Sequence, residues 1–166
     1  MPTKSLRIIV AARKLLNSYG RGRIPTPLDS ICEALRIRVQ NTPDEKPSFE
    51  RGSWNTPTGI QMGFIANIPD NADRLIRRHM LAHLIGHIYL GQGSCDYQEK
   101  TQGELQAIAF ATELLMPSQD MRHYISIRPP FEKEEAAVIE LAEIFDVHPR
   151  AMRARYREIR KGMQLQ

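Results

Sequence analysis

The stretch Arg78–Leu90, RHMLAHLIGHIYL, decides how the rest of the chain is read. It is apolar and of helical length, and it sets His83 and His87 four positions apart. Four residues is a little over one helical turn, so both imidazoles leave the same face and can converge on one point. Neutral imidazole nitrogen is a good zinc ligand, and zinc prefers four ligands in a tetrahedron. H-x-x-x-H also arises by chance. On this pair alone, a metal site and two buried, hydrogen-bonded histidines are equally good readings. Gly86 adds a little weight to a built site, because a glycine inside a helix costs up to about 1 kcal/mol and asks for a packing reason.

Working outward, a metal would need a ligand from a neighbouring element. Glu104 stands early in GELQAIAFATELLMP, and a hairpin through the loop Gly91–Thr101 would return it to the histidines. Thr101 and Glu104 also spell T-x-x-E, a capping box, in which the glutamate turns back to its own helix N-terminus. Glu113 lies nine residues further along the same expected helix. At 100° per residue it points to the opposite face, so only one of the two acids can meet the histidines.

The bulk properties bound the rest. A chain of 166 residues with 42% hydrophobic content suits one compact domain, or one with a small appendage. A net charge of +4 and a pI near 9.3 tolerate a nucleic acid or an acidic partner without demanding either. Cys32 and Cys95 are far apart and form no C-x-x-C pair, which argues against a disulfide framework or a cysteine zinc site. The amphipathic, charge-interrupted N-terminus is unlike a signal peptide, and the longest uncharged run, Met80–Cys95, is too short to span a bilayer. The expectation is a cytoplasmic protein with no membrane partner.

Helices are expected over Ser5–Ser18, from TPLDSICEAL with Thr26 as N-cap and Pro27 in the first turn, over Ala72–Leu90 with Asp70 or Asn71 as cap, over Thr101–Met116 and over Ser118–Ile125. Residues 36–40 and 58–69 read as strands, the second with Ile60, Met62, Phe64 and Ala66 on one face. Residues 41–57, rich in proline and polar groups, read as a loop. Pro129 and Pro130 break the chain before an acidic helix over 131–145, a turn at DVH and a basic final helix.

RRHMLAHLIGHIYL followed by ELQAIAFATELLMP resembles the ImmA/IrrE-type metallopeptidases, gluzincin-like zinc proteins of mobile elements and stress responses. Their pattern runs roughly R-F-T-L-A-H-E-x-G-H, then E-x-x-A-N-x-F-A-x-x-L-L-M-P. Upstream TPLDSICEALRIRV and GFIANIPDNADRLIRRHMLAH, and downstream ELAEIFDVHPRAMRARYREI, extend the likeness over nearly the whole chain. The resemblance implies zinc held by His83, His87 and Glu104, with the strand near Gly63–Asn67 flanking a substrate groove. It implies a protein substrate or partner, such as a repressor-like regulator.

Two positions depart from the pattern. Leu84 stands where the family's glutamate takes a proton from the attacking water and passes it to the leaving amine. Leucine cannot accept a proton, and general acid–base catalysis contributes about 10²–10⁴-fold. Ile108 stands where the family often has asparagine, and cannot orient a ligand as a polar neighbour would. Both losses implied by the resemblance fall at the chemistry while the three ligands remain, so hydrolysis is expected to be impaired. Glu113, Asp96 and His79 are the other groups that could serve as base, with no support from spacing. An acid at position 84 would be expected to sit wetted beside the open metal position.

The C-terminal pair also has the apolar rhythm of a helix-turn-helix, with Arg150, Arg153, Arg155, Arg157, Arg160 and Lys161 on its second helix. A helical hairpin packed on the core with a solvated basic face is preferred, since charge runs usually mark such faces. Asp146, where a glycine is common, and the acidic preceding helix weigh the same way. The expectation is therefore an α+β fold: a mostly helical metallopeptidase-like domain over 1–130, a small β-sheet beside the zinc helix, and a C-terminal helical pair over 131–166 packed on it. The alternative function is a non-catalytic regulator or DNA-binding protein, using the old protease groove or the basic C-terminal helix.

Overall fold

The computed structural model describes residues 4–20, 22–96, 99–128 and 133–164. Helix α1 (Lys4–Leu15) runs into a π-helical turn at Leu16–Gly20, and α2 (Leu28–Ala34) leads into β1 (Ile37–Thr42), β2 (Ser48–Thr56) and β3 (Gly59–Pro69). Helices α3 (Arg74–Tyr89), α4 (Gln102–Leu115), α5 (Ser118–Ser126), α6 (Glu134–Phe145) and α7 (Pro149–Gln164) follow. The fold is α+β and mostly helical, with one small sheet. The expected break at Pro129–Pro130 and the domain boundary beside it lie outside the described residues. No helix among the described residues is long and apolar enough to cross a membrane.

The sheet has the order β1-β3-β2, with β1 parallel and β2 antiparallel to the central β3. Strand β2 corrects the expected loop over 41–57. Its two large apolar residues pair at positions of opposite parity, Phe49 with Ala66 and Trp54 with Gln61, so they point to opposite faces. The sequence therefore shows no period-two stripe, only a polar run between prolines, as suits an edge strand. Gly63 is required where β3 passes Arg36, because a Cβ there would lie 2.0 Å from the Arg36 carbonyl oxygen. The expected apolar face of β3 is only half buried: Ala66 and Ile68 are in the core, whereas Ile60 and Met62 are 74% and 72% exposed where the hairpin extends past the helices.

Two caps differ from expectation. Thr26 does not cap α2; it is buried and its hydroxyl donates to the Leu114 carbonyl at 2.7 Å, tying the α2 entry to the end of α4. Helix α3 is capped by Asp73, whose carboxylate accepts from the Leu75 and Ile76 amides at 2.9 and 3.1 Å, rather than by Asp70 or Asn71. Asn and Asp at neighbouring positions offer equivalent caps, and which one is used depends on where the chain leaves β3.

Helix α4 forms the centre of the helical layer. Phe110, Ala111, Leu114 and Leu115 are buried in one apolar cluster with Leu15 of α1, Ile31 of α2, Leu84 and Ile85 of α3, and Leu141, Phe145 and Met152 of the C-terminal pair. Against this core lies the buried carboxylate of Glu113. Its Oε1 accepts from Arg13 Nε at 2.9 Å, the Ser118 hydroxyl at 2.9 Å and the Ser118 amide at 3.2 Å, and its Oε2 accepts from Arg155 Nη2. Arg155 is itself buried and donates from Nε to the Met116 carbonyl at 3.2 Å.

Removing one partner of a buried ion pair strands the other charge, which costs about 3–5 kcal/mol. Glu113→Ala is therefore expected to lower the unfolding free energy by about that much in urea titration. A loss below about 1 kcal/mol, the range of an exposed pair, would show that Arg155 is not held this way.

Candidate metal centre

The centre is built where α3 and α4 pack closely. Gly86 provides the closeness: a Cβ there would sit 3.2 Å from the Ala107 carbonyl oxygen and 3.3 Å from its Cα. This is the packing reason that a helix-interior glycine asks for. Beside Gly86 on α3, His83 three residues earlier and His87 immediately after meet the start of α4. His83 Nε2 lies 2.8 Å from Glu104 Oε2, His87 Nε2 lies 3.2 Å from Glu104 Oε1, and the two Nε2 atoms are 3.0 Å apart. His83 and His87 are each 1% exposed and Glu104 is 3% exposed.

The capping box at the start of α4 is only half formed. Thr101 Oγ1 accepts from the Glu104 amide at 3.2 Å, but the Glu104 carboxylate turns to the histidines. It also accepts from the Asp96 amide at 2.6 Å. Of the two acids on α4, Glu104 is thus the one that meets the histidines, and Glu113 is engaged with Arg13 and Arg155. From the sheet side, the Phe49 ring stacks on His87 at 6.0 Å between centroids, and Phe64 meets Phe49 edge-on at 6.2 Å.

Three donor groups aimed at one buried point fit a cation. Two neutral imidazoles that face each other through Nε2 can make only one hydrogen bond between them, and with the proton of each ring on Nδ1 both Nε2 lone pairs are free for one ion. Burial first, and the neighbouring His87 second, hold the His83 pKa down to about 4, so it is neutral near pH 7, the form that ligates. Burial pushes the Glu104 carboxyl upward, but the Asp96 amide and the two histidines outweigh it and leave its pKa below the ordinary value.

The other named positions fall elsewhere. Leu84 is fully buried in the apolar core, which corrects the expectation of a wetted position: a glutamate there would enter a dry site. Ile108 is 45% exposed. Asp96 contributes its backbone amide to the centre, while His79 lines a separate cavity with Leu75, Leu115, Asp146 and Val147. Cys95 comes in unexpectedly. Its thiol joins His83, His87 and Glu104 in a group whose donor atoms all lie within 4.8 Å of one another. The lack of a C-x-x-C partner concealed it; its place in the loop between the two donor helices was the available clue.

The sequence profile of the M78 peptidases, described as the IrrE N-terminal-like domain, matches residues 32–157. The chain belongs to this family. Comparison with curated proteins finds no match.

The donor group carries a pH dependence of its own. In metal-free protein an unfolded histidine takes up a proton near pH 6.5, whereas folded His83 does so only near 4. The unfolded chain binds more protons throughout that interval, so stability is full above it and falls as the pH drops from about 6.5 to about 4. Urea midpoints of chelator-treated protein should decline across this interval, and less steeply in His83→Gln. A profile identical in both proteins would contradict the assignment.

Proposed function

We propose that this M78 member binds one zinc ion through His83, His87 and Glu104, hydrolyses peptide bonds poorly or not at all, and serves by holding a repressor-like protein partner. The observation that carries the reading is the pairing of an intact, buried donor group with Leu84, a fully buried apolar side chain at the position next to the first histidine.

Zinc bound there would supply Lewis acidity toward a carbonyl and toward water. The rest of hydrolysis falls to the chain. A proton must leave the attacking water and another must reach the leaving nitrogen, and leucine can do neither. Of the alternative bases, Glu113 is held by two arginines and Ser118, and His79 lines another cavity. A donor group kept without the acid suits a binding task, and the family resemblance supplies the repressor-like class of partner.

The DNA-binding reading is weaker. Arg153 donates to both oxygens of Glu135 at 2.6 and 2.7 Å, Arg157 donates to Glu134 at 2.8 Å, and Arg155 is buried on Glu113. Much of the basic charge of α7 is thus answered by α6 and the core, and less remains for phosphate.

Elemental analysis of protein purified without chelator should find about one zinc per chain, the content of a three-ligand site. His83→Ala should lose it. The zinc-loaded chain should leave casein uncleaved, and Leu84→Glu should melt at lower temperature because its new acid is buried. Chelator-sensitive casein cleavage would overturn the impaired reading. Zinc at background, with unchanged stability in His83→Ala, would overturn the metal reading.

A further inference from the structure

Cys95 is neither part of the family pattern quoted above nor part of the proposed ligand set. We infer that it is the fourth ligand, so that the ion is enclosed by two imidazoles, a carboxylate and a thiolate; this rests on the metal-binding reading above and deepens it.

Position is the first argument. The Cys95 thiol lies with the other three donors inside a 4.8 Å group, and the loop that carries it is fastened on both sides. At one end the Gln92 amide donates to the His87 carbonyl at 2.9 Å, and the Gln92 side chain donates to Gln106 of α4 at 3.0 Å. At the other end the amide of Asp96, next to the cysteine, donates to the Glu104 carboxylate at 2.6 Å. The residue that follows Cys95 is thus anchored on a proposed ligand.

Charge is the second argument. Two neutral histidines and one carboxylate leave a divalent ion with one uncompensated positive charge. His83, His87 and Glu104 are at most 3% exposed, so solvent does little to stabilise that charge. A thiolate makes the site neutral. It also completes the four ligands of a closed site, where a catalytic zinc keeps one position open. An apolar residue at position 84 fits such a site, because an ion without an open position gives a base nothing to deprotonate. The ion then acts as a clasp that fixes the loop 91–96 to α3 and α4.

The test uses the full chain, stripped with chelator and loaded with cobalt(II) alone. The unmodified protein should show a thiolate-to-cobalt charge-transfer band in the near ultraviolet. Cys95→Ser should lose that band while keeping visible cobalt bands. Loss of an outer partner alone costs about 10–100-fold in metal affinity, so Cys95→Ser should weaken zinc at least about tenfold in chelator competition. Thiol alkylation gives a readout without mutation. Zinc should slow labelling of Cys95 at least about tenfold, since a coordinated thiolate is not available as nucleophile. Cys32 does not interfere, because burial holds its thiol near 12. Cobalt bound without the band, with zinc affinity unchanged in Cys95→Ser, would overturn the fourth ligand and leave the three-ligand site standing. Failure to bind cobalt at all would overturn the metal reading and this inference with it.

Discussion

The helical layer depends on one buried carboxylate. Glu113, on the central helix, takes hydrogen bonds from Arg13 of α1, Ser118 at the start of α5 and Arg155 of α7. Apolar packing sets how much surface these helices bury, but it is not directional. An acid whose lone pairs must all be answered is directional, and it fixes which helix stands where. A buried ion pair adds little net stability against an apolar replacement, so its contribution here is to arrangement. By holding α4 from behind, Glu113 also keeps the opposite face of that helix, with Glu104, turned toward α3.

The donor group follows from that arrangement. Helices α3 and α4 approach closely because Gly86 has no side chain to keep Ala107 away. The approach brings a carboxylate within 3.2 Å of two imidazoles that would otherwise face an apolar core. The sheet closes the other side through Phe49. The donor atoms of all three groups converge on one buried point, which suits a cation.

Much of this was legible in the sequence, for identifiable reasons. The spacing of His83 and His87, the hairpin that returns Glu104 and the 100° arithmetic that separates it from Glu113 are all local or nearly so. The family match over 32–157 agrees with the motif likeness. What stayed hidden depends on tertiary neighbours. Strand β2 has its apolar residues on opposite faces and so carries no periodic pattern. Thr26 left its capping role for a carbonyl on α4 that no local rule could anticipate. Leu84 looked accessible because a helix wheel gives direction but not what lies in that direction. Cys95 sits in the loop between the two donor helices, and that placement did not show which way its thiol turns.

Asp146 holds the turn between α6 and α7 in the left-handed conformation, at φ 54°, where a glycine would be relaxed. The aspartate gives up that ease and in return its carboxylate accepts from both terminal nitrogens of Arg74 at 2.6 Å, with Arg78 Nε 3.4 Å away. Arg74 is largely exposed, so ions in solution can screen this contact, whereas they have little access to Arg155 and Glu113. Of these two contacts of the C-terminal pair, rising ionic strength therefore loosens the one at Asp146 and leaves the one at Glu113 in place. In brine the turn at Asp146 would relax first, around a hinge that stays shut.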